Sequence, residues 1–195
     1  MSKPITVLDF QKNFQESLNR ENKAFNKLSK QAKRIAIAQD VLEQIRLGRY
    51  KAQTGTYVEA DTTFEADDQG FCNVENIQAN YALRNDLIEC TVCAKGALFM
   101  SHVNKTNHCT VDDLRNYDES AAIVDHLEDI FDPDQLHLIE AAFESDEDFV
   151  DRHNTEIEDE ERDSAVDFGH RYTDDEKRLI AICKNIIRNK GIFKP

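Results

Sequence analysis

Apolar residues recur at three- and four-residue steps through Phe10, Phe14, Leu18, Phe25, Leu28, Ala32, Ile35, Leu42 and Ile45, the spacing that lines up side chains along one face of a helix. This predicts one or two long helices over residues 6–48, closed by Gly48, because glycine readily takes the left-handed conformation that commonly ends a helix. The segment Cys90 to Val103 is apolar on most sides and predicts a central helix in the core, where Gly96 and the nearby alanines let neighbouring helices come close. Asp86 and Glu89, three apart, have the spacing of a capping box in front of it. Ser120 to Ile130 and Asp134 to Phe143 read as a helical pair interrupted at Asp132-Pro133, with the proline suited to a first helical turn. Thr173, followed by Asp174, Asp175 and Glu176, reads as the N-cap of a closing amphipathic helix that carries Leu179, Ile180, Ile182, Cys183, Ile186 and Ile187 and runs up to Gly191.

Between Tyr50 and Asn73 the helical period is lost. Thr54-Gly55-Thr56-Tyr57-Val58-Glu59 sets β-branched and aromatic residues beside a turn glycine, which predicts a short β-hairpin or extended loop near 50–73 with Asp67-Asp68-Gln69-Gly70 as its polar turn. The expected fold class is therefore mostly α: one helical bundle over residues 1–195, with a central apolar helix and that short extended segment. A chain of 195 residues, 40% hydrophobic and with eleven Phe but no Trp, has the material for such a core. At this length a single domain removes roughly 70% of its unfolded surface from water.

The charge is distributed unevenly. Residues 1–50 hold ten Lys/Arg against five Asp/Glu, residues 51–195 hold 14 against 33, and the whole chain carries −14. The positive groups Lys23, Lys27, Lys30, Lys33 and Arg34 fall on the polar face of the first helices. Segment 144–163 carries eleven Asp/Glu against Arg152 and Arg162, and reads as a solvated helix or loop. Such a balance opposes direct binding of nucleic acid or anionic lipid, which depends on Lys and Arg displacing counterions. The start of the chain lacks a secretory apolar region, and no window approaches a membrane span, since Lys95 and His102 interrupt the longest apolar run. The expected location is the cytoplasm, with reduced thiols for the five cysteines.

Cys90-Thr91-Val92-Cys93, followed by His102, His108 and Cys109, is the sharpest local motif. Two thiolates, an imidazole and a further thiolate suit tetrahedral zinc, so a zinc-stabilised regulatory domain built on Cys90, Cys93, His108 and Cys109 is one reading. The other places both cysteines in an apolar helix as small hydrophobic core residues, and Ala94, Gly96, Ala97, Leu98, Phe99 and Met100 favour it. No strand pattern leads into the pair, which argues against a thioredoxin-like role. His126 with Asp129 and His137 with Glu140 form histidine–carboxylate pairs at helical spacing, but the core glutamates of a metal-binding bundle do not accompany them. Phosphate loops, nucleophile elbows and zincin motifs are absent from the sequence, so a non-enzymatic role is expected and no cofactor other than the alternative zinc.

Three blocks, Arg34-Ile-Ala-Ile-Ala-Gln-Asp-Val-Leu-Glu-Gln-Ile-Arg-Leu-Gly-Arg-Tyr50, Cys90-Thr-Val-Cys-Ala-Lys-Gly-Ala-Leu-Phe-Met100 and Arg178 to Pro195, resemble a family of small proteins of bacteriophages and bacterial mobile elements that has no assigned activity. The resemblance implies an origin and a bacterial host component as target, and it implies no catalytic residues. The expected function is to bind and modulate or inhibit a host bacterial protein with a basic surface, possessed for example by a nucleic-acid-handling or defence factor. Asp146, Glu147, Asp148, Glu158, Asp159, Glu160 and Glu161 are the candidate binding residues, their carboxylates imitating the phosphates of DNA. Both a monomer and a homo-oligomer are compatible with it.

The two readings of the cysteines lead to different outcomes. As core residues, Cys90→Ala with Cys93→Ala lowers stability by about 1–3 kcal/mol in total, Ser at both positions costs more because a hydroxyl is buried, and a chelator does nothing. As ligands, a chelator unfolds the wild type as the substitutions do. Chemical denaturation with and without chelator measures the difference.

Overall fold

The computed structural model describes residues 7–62, 77–106, 109–115, 127–145 and 157–195. The protein is mostly α with a small sheet, and the described residues form eight helices and three strands. Helix α1 spans Val7–Asn26 and α2 spans Lys30–Arg46. The break between them is set by Ser29, whose hydroxyl caps α2 by accepting from the Ala32 N–H at 3.2 Å. The end of α2 is as the sequence suggests. Gly48 has φ +73°, its N–H donates to the Ile45 carbonyl, and the Arg49 N–H reaches back to Gln44, both at 2.9 Å, the paired bonds of a Schellman end.

Strands β1 (Tyr50–Ala52) and β2 (Val58–Thr62) follow, then helix α3 (Ala79–Arg84), strand β3 (Ile88–Val92) and helix α4 (Ala94–Thr106). The extended region expected near 50–73 is present, but not as a hairpin. β3 lies between β1 and β2, parallel to the first with Tyr50 opposite Cys90, and antiparallel to the second with Val58 opposite Val92. The expected turn at Asp67–Gly70 lies outside the described residues.

The central helix predicted over Cys90 to Val103 is corrected in its first third. Cys90 is in strand β3, Cys93 sits at the junction, and the helix starts at Ala94. The reason is visible in Ile88-Glu89-Cys90-Thr91-Val92, where buried and half-exposed positions alternate, the period of a strand. Consequently a strand does lead into the Cys-x-x-Cys pair. Asp86 and Glu89 do not box a helix start: Asp86 turns the chain at φ +55° and pairs with Arg49 at 2.6 Å, while Glu89 pairs with Lys51 across the sheet.

Helix α4 keeps its central place, packed against α1, α2, α3 and the later α6, with Ala97, Leu98, Phe99, Met100 and Val103 all buried. A short α5 (Val111–Arg115) precedes α6 (Pro133–Glu144). Asp132 caps α6 by accepting from the Asp134 N–H at 3.1 Å, with Pro133 in the first turn, as the sequence predicts. The partner helix expected over Ser120 to Ile130 lies largely outside the described residues.

Helix α7 (Asp159–His170) has no counterpart among the expected elements beyond the solvated acidic stretch. Ala165, Val166, Phe168 and Gly169 form its buried stripe, and it packs along α6. Helix α8 (Asp175–Arg188) buries Leu179, Ile182, Cys183 and Ile186 against α2 and α6. Its N-cap is Asp174, one residue later than Thr173, because the Asp174 carboxylate is the group that accepts from the Lys177 N–H at 2.9 Å. One continuous set of buried apolar side chains runs from Phe25 to Phe193, and no described helix is long and apolar enough to cross a membrane.

Gly96 is needed for a different contact from the one expected. A Cβ there would lie 1.6 Å from the Tyr57 carbonyl oxygen, so the close neighbour is the backbone entering β2, not a helix. The same carbonyl accepts from the Cys93 N–H at 3.3 Å. Gly96→Ala must push the sheet off α4 and is expected to cost about 3 kcal/mol or more, read as a lower urea midpoint; a midpoint within experimental scatter of wild type would refute the contact.

Candidate functional site

Of the seven candidate acidic residues, Asp146, Glu147 and Asp148 lie outside the described residues, while Glu158, Asp159, Glu160 and Glu161 stand together at the start of α7, all exposed. Local physics places them there. Carboxylates in a first helical turn face the positive end of the helix dipole, and Asp159 is further held by Arg162 at 2.8 Å. The buried stripe of α7 fixes the turn against α6, where a Cβ at Gly169 would sit 2.1 Å from the Ala142 carbonyl oxygen.

This acidic turn borders a groove of about 470 Å³ between α6, α7 and the C-terminal tail. Leu138, Ile192, Phe193 and Pro195 are its apolar lining, and Glu160, Glu161 and Lys194 its charged lining. The tail is pinned by the Phe193 N–H, which donates to the Gln135 side chain at 2.7 Å, and by the Lys194 N–H, which donates to Asn185 at 2.9 Å. Ile192 is left 38% exposed, a large apolar side chain beside two carboxylates.

The cysteines are distributed differently. Cys90, Cys93, Cys109 and Cys183 are free and buried, and burial pushes each thiol up to about 12, far from the thiolate that nucleophilic attack requires. Cys90 has Asp61 and Cys109 as its charged-form neighbours, whereas Cys93 has Glu144 and Glu140. Cys93 Sγ accepts from the Gly96 N–H at 3.5 Å, doing for α4 what a capping hydroxyl does elsewhere. His108 lies outside the described residues, as does His126. Among the described residues no group of three or more His, Cys, Asp or Glu is placed to hold a metal ion.

A constellation that the sequence reading does not anticipate joins the sheet to the helices. Lys95 Nζ donates to Glu140 Oε2 at 2.5 Å, each side chain 6% exposed, and the Tyr57 hydroxyl donates to Glu140 Oε1 at 3.0 Å. The glutamate expected to pair with His137 is thus engaged by α4 and by the loop before β2. Burial and the facing Glu140 raise the Tyr57 hydroxyl above the ordinary phenol range, so it stays protonated and donating. Beside it, burial raises Glu144 to about 6 against the opposing pull of the Gly55 N–H, which donates to its carboxylate at 2.9 Å. The Thr54 N–H donates to Asp175 at 3.0 Å. The β1–β2 turn is therefore clamped by carboxylates of α6 and α8, beside the buried Lys95–Glu140 pair. The available signal was the lone lysine inside an otherwise apolar run, since a buried ammonium demands a carboxylate.

No family model, no curated protein and no solved structure matches this chain.

Removing one partner of a buried pair strands the other charge, whereas neutralising both leaves a satisfied core. Lys95→Met alone is expected to cost about 3–5 kcal/mol, and Lys95→Met with Glu140→Gln, which keeps an acceptor for Tyr57, to recover most of it. Urea unfolding of the three proteins checks this; losses that simply add would contradict it.

Proposed function

We propose that this chain is a non-enzymatic protein of bacteriophage type that binds a bacterial host protein and modulates or inhibits it through the acidic turn of α7 and the groove beside it. The observation that carries the reading is the placement of Glu160 and Glu161 beside the exposed Ile192 and the half-buried Pro195 in one groove, which Lys194 also lines. Charge alone keeps a protein soluble. Charge beside an apolar recess offers a partner both long-range steering and a place to bury a side chain.

The partner chemistry follows from those groups: an aliphatic or aromatic side chain flanked by Lys or Arg, as on the basic surface of a protein that handles nucleic acid. Four exposed carboxylates at the start of one helix concentrate negative charge, which supports a mimic of DNA as one form of the inhibition. The resemblance to bacteriophage and mobile-element proteins supports a bacterial host as the source of the partner.

The test is a pull-down from bacterial lysate with wild type and with Glu158→Gln, Asp159→Asn, Glu160→Gln and Glu161→Gln combined, at low and at high salt. A partner held by wild type is expected to be released by salt and retained about tenfold less by the neutralised chain. Retention indifferent to both salt and neutralisation, or no retained protein at all, would sink the reading.

A further inference from the structure

A second groove, of about 430 Å³, lies on the other side of Phe168, along the outward stripe of α8. Its floor is apolar: Phe168 and Tyr172 from the end of α7 and the connection after it, with Ile180 and Ala181 from α8. Lys177, Lys184 and Arg188 line the same stripe, and no carboxylate does. In a chain with 38 acidic and 24 basic side chains, a groove lined by cations alone is not what the average surface supplies. Among the described residues none of the three cations is held in an ion pair, whereas the neighbouring Arg178 is paired with Asp175. Arg171 lies over the Phe168 ring at 5.5 Å, outside the groove's lining. Of the carboxylates at the start of α8, Asp174 caps the helix by accepting from the Lys177 N–H and Asp175 accepts from the Thr54 N–H.

The spacing is that of a helix surface read twice. Leu179, Ile182, Cys183 and Ile186 face the core, while Ile180 and Ala181 remain only partly covered between Lys177 and Lys184. From Lys177 to Arg188 the stripe is about 16 Å long, the length of a three-turn helical segment or of a short extended one.

We propose that this groove binds an acidic amphipathic peptide segment of another protein, with its apolar side chains on Phe168, Tyr172 and Ile180 and its carboxylates on Lys177, Lys184 and Arg188. Charge complementarity selects the occupant. A second copy of this chain fits less well, because in its acidic groove Lys194 stands with Glu160 and Glu161 and would meet the cations of this one. A nucleic acid meets the repulsion of the whole −14 chain along any length beyond the groove.

The experiment is fluorescence anisotropy of the full chain with a fluorescein-labelled synthetic peptide of about twelve residues, Leu and Phe at i, i+3, i+4 and i+7 among Asp and Glu. Binding is expected, about tenfold weaker for Lys184→Gln with Arg188→Gln and lost for Ile180→Asp. Circular dichroism checks that each variant keeps its helix content, and the exposed double-Gln variant decides the matter if Ile180→Asp does not fold. Glu160→Gln with Glu161→Gln is expected to bind the peptide no less well, so this groove and the acidic one succeed or fail separately. Four outcomes would overturn the proposal: no binding, equal binding by the double-Gln variant, displacement by polyglutamate of equal charge, or displacement by oligothymidylate. Sedimentation showing a dimer that the same substitutions dissociate would instead assign the groove to a second copy.

Discussion

An ammonium and a carboxylate withdrawn from water at the junction of α4 and α6 hold the two halves of this fold in register. Lys95 and Glu140 are 2.5 Å apart and come from elements with different tasks, α4 emerging from the sheet and α6 backing onto α7 and α8. A charge buried without its counter-charge costs several kcal/mol, so the pair permits one relative placement of the two helices. Tyr57 extends that constraint to the sheet by donating to the same glutamate. Gly96, one residue beyond Lys95, allows the Tyr57 backbone to lie directly on α4. The Thr54–Gly55 turn is then closed by Glu144 and Asp175, which brings α8 into the same arrangement.

A second polar network does the equivalent work on the opposite side of α4. Asn104 donates to both oxygens of buried Asp40 at 3.1 and 3.0 Å, and Lys105 reaches the same carboxylate at 2.7 Å. Arg84 donates to Asn104 at 2.7 Å and to Glu21 at 2.9 Å, so α1, α2, α3 and α4 share one set of hydrogen bonds. Apolar burial drives these helices together, but it is indifferent to sliding. Directional bonds at both faces of α4 are what make its position unique.

The surface that results is divided by charge around the end of α7. Phe168 and Phe193 meet edge to face at 5.2 Å, Phe193 lining a groove with two glutamates and Lys194, Phe168 lining another with three cations. This division is a consequence of packing. The helix dipole favours the carboxylates at the start of α7, and the core face of α8 turns its lysines outward.

The long amphipathic helices, the glycine end of α2 and the charge imbalance were legible in the residues themselves, because each depends on neighbours within a few positions. Gly48 ends α2 and Asp132-Pro133 opens α6 where the sequence places them, Leu179 to Ile187 carry the period of α8 unaided, and the break at Ser29 is set by the structure. The strand over Ile88 to Val92 was not legible, since five alternating residues run straight into an apolar helix and only pairing with Tyr50–Ala52 and Val58–Thr62 distinguishes the two. The same holds for the sites. That residues 144–163 are acidic is a property of composition, but which carboxylates border an apolar groove depends on where the chain's last four residues dock. Lys95 and Glu140 are 45 positions apart, and nothing in either segment names the other. Short-range propensities are encoded along the chain, whereas partners brought together by folding are chosen by the tertiary structure, which must satisfy every buried charge and hydrogen bond at once.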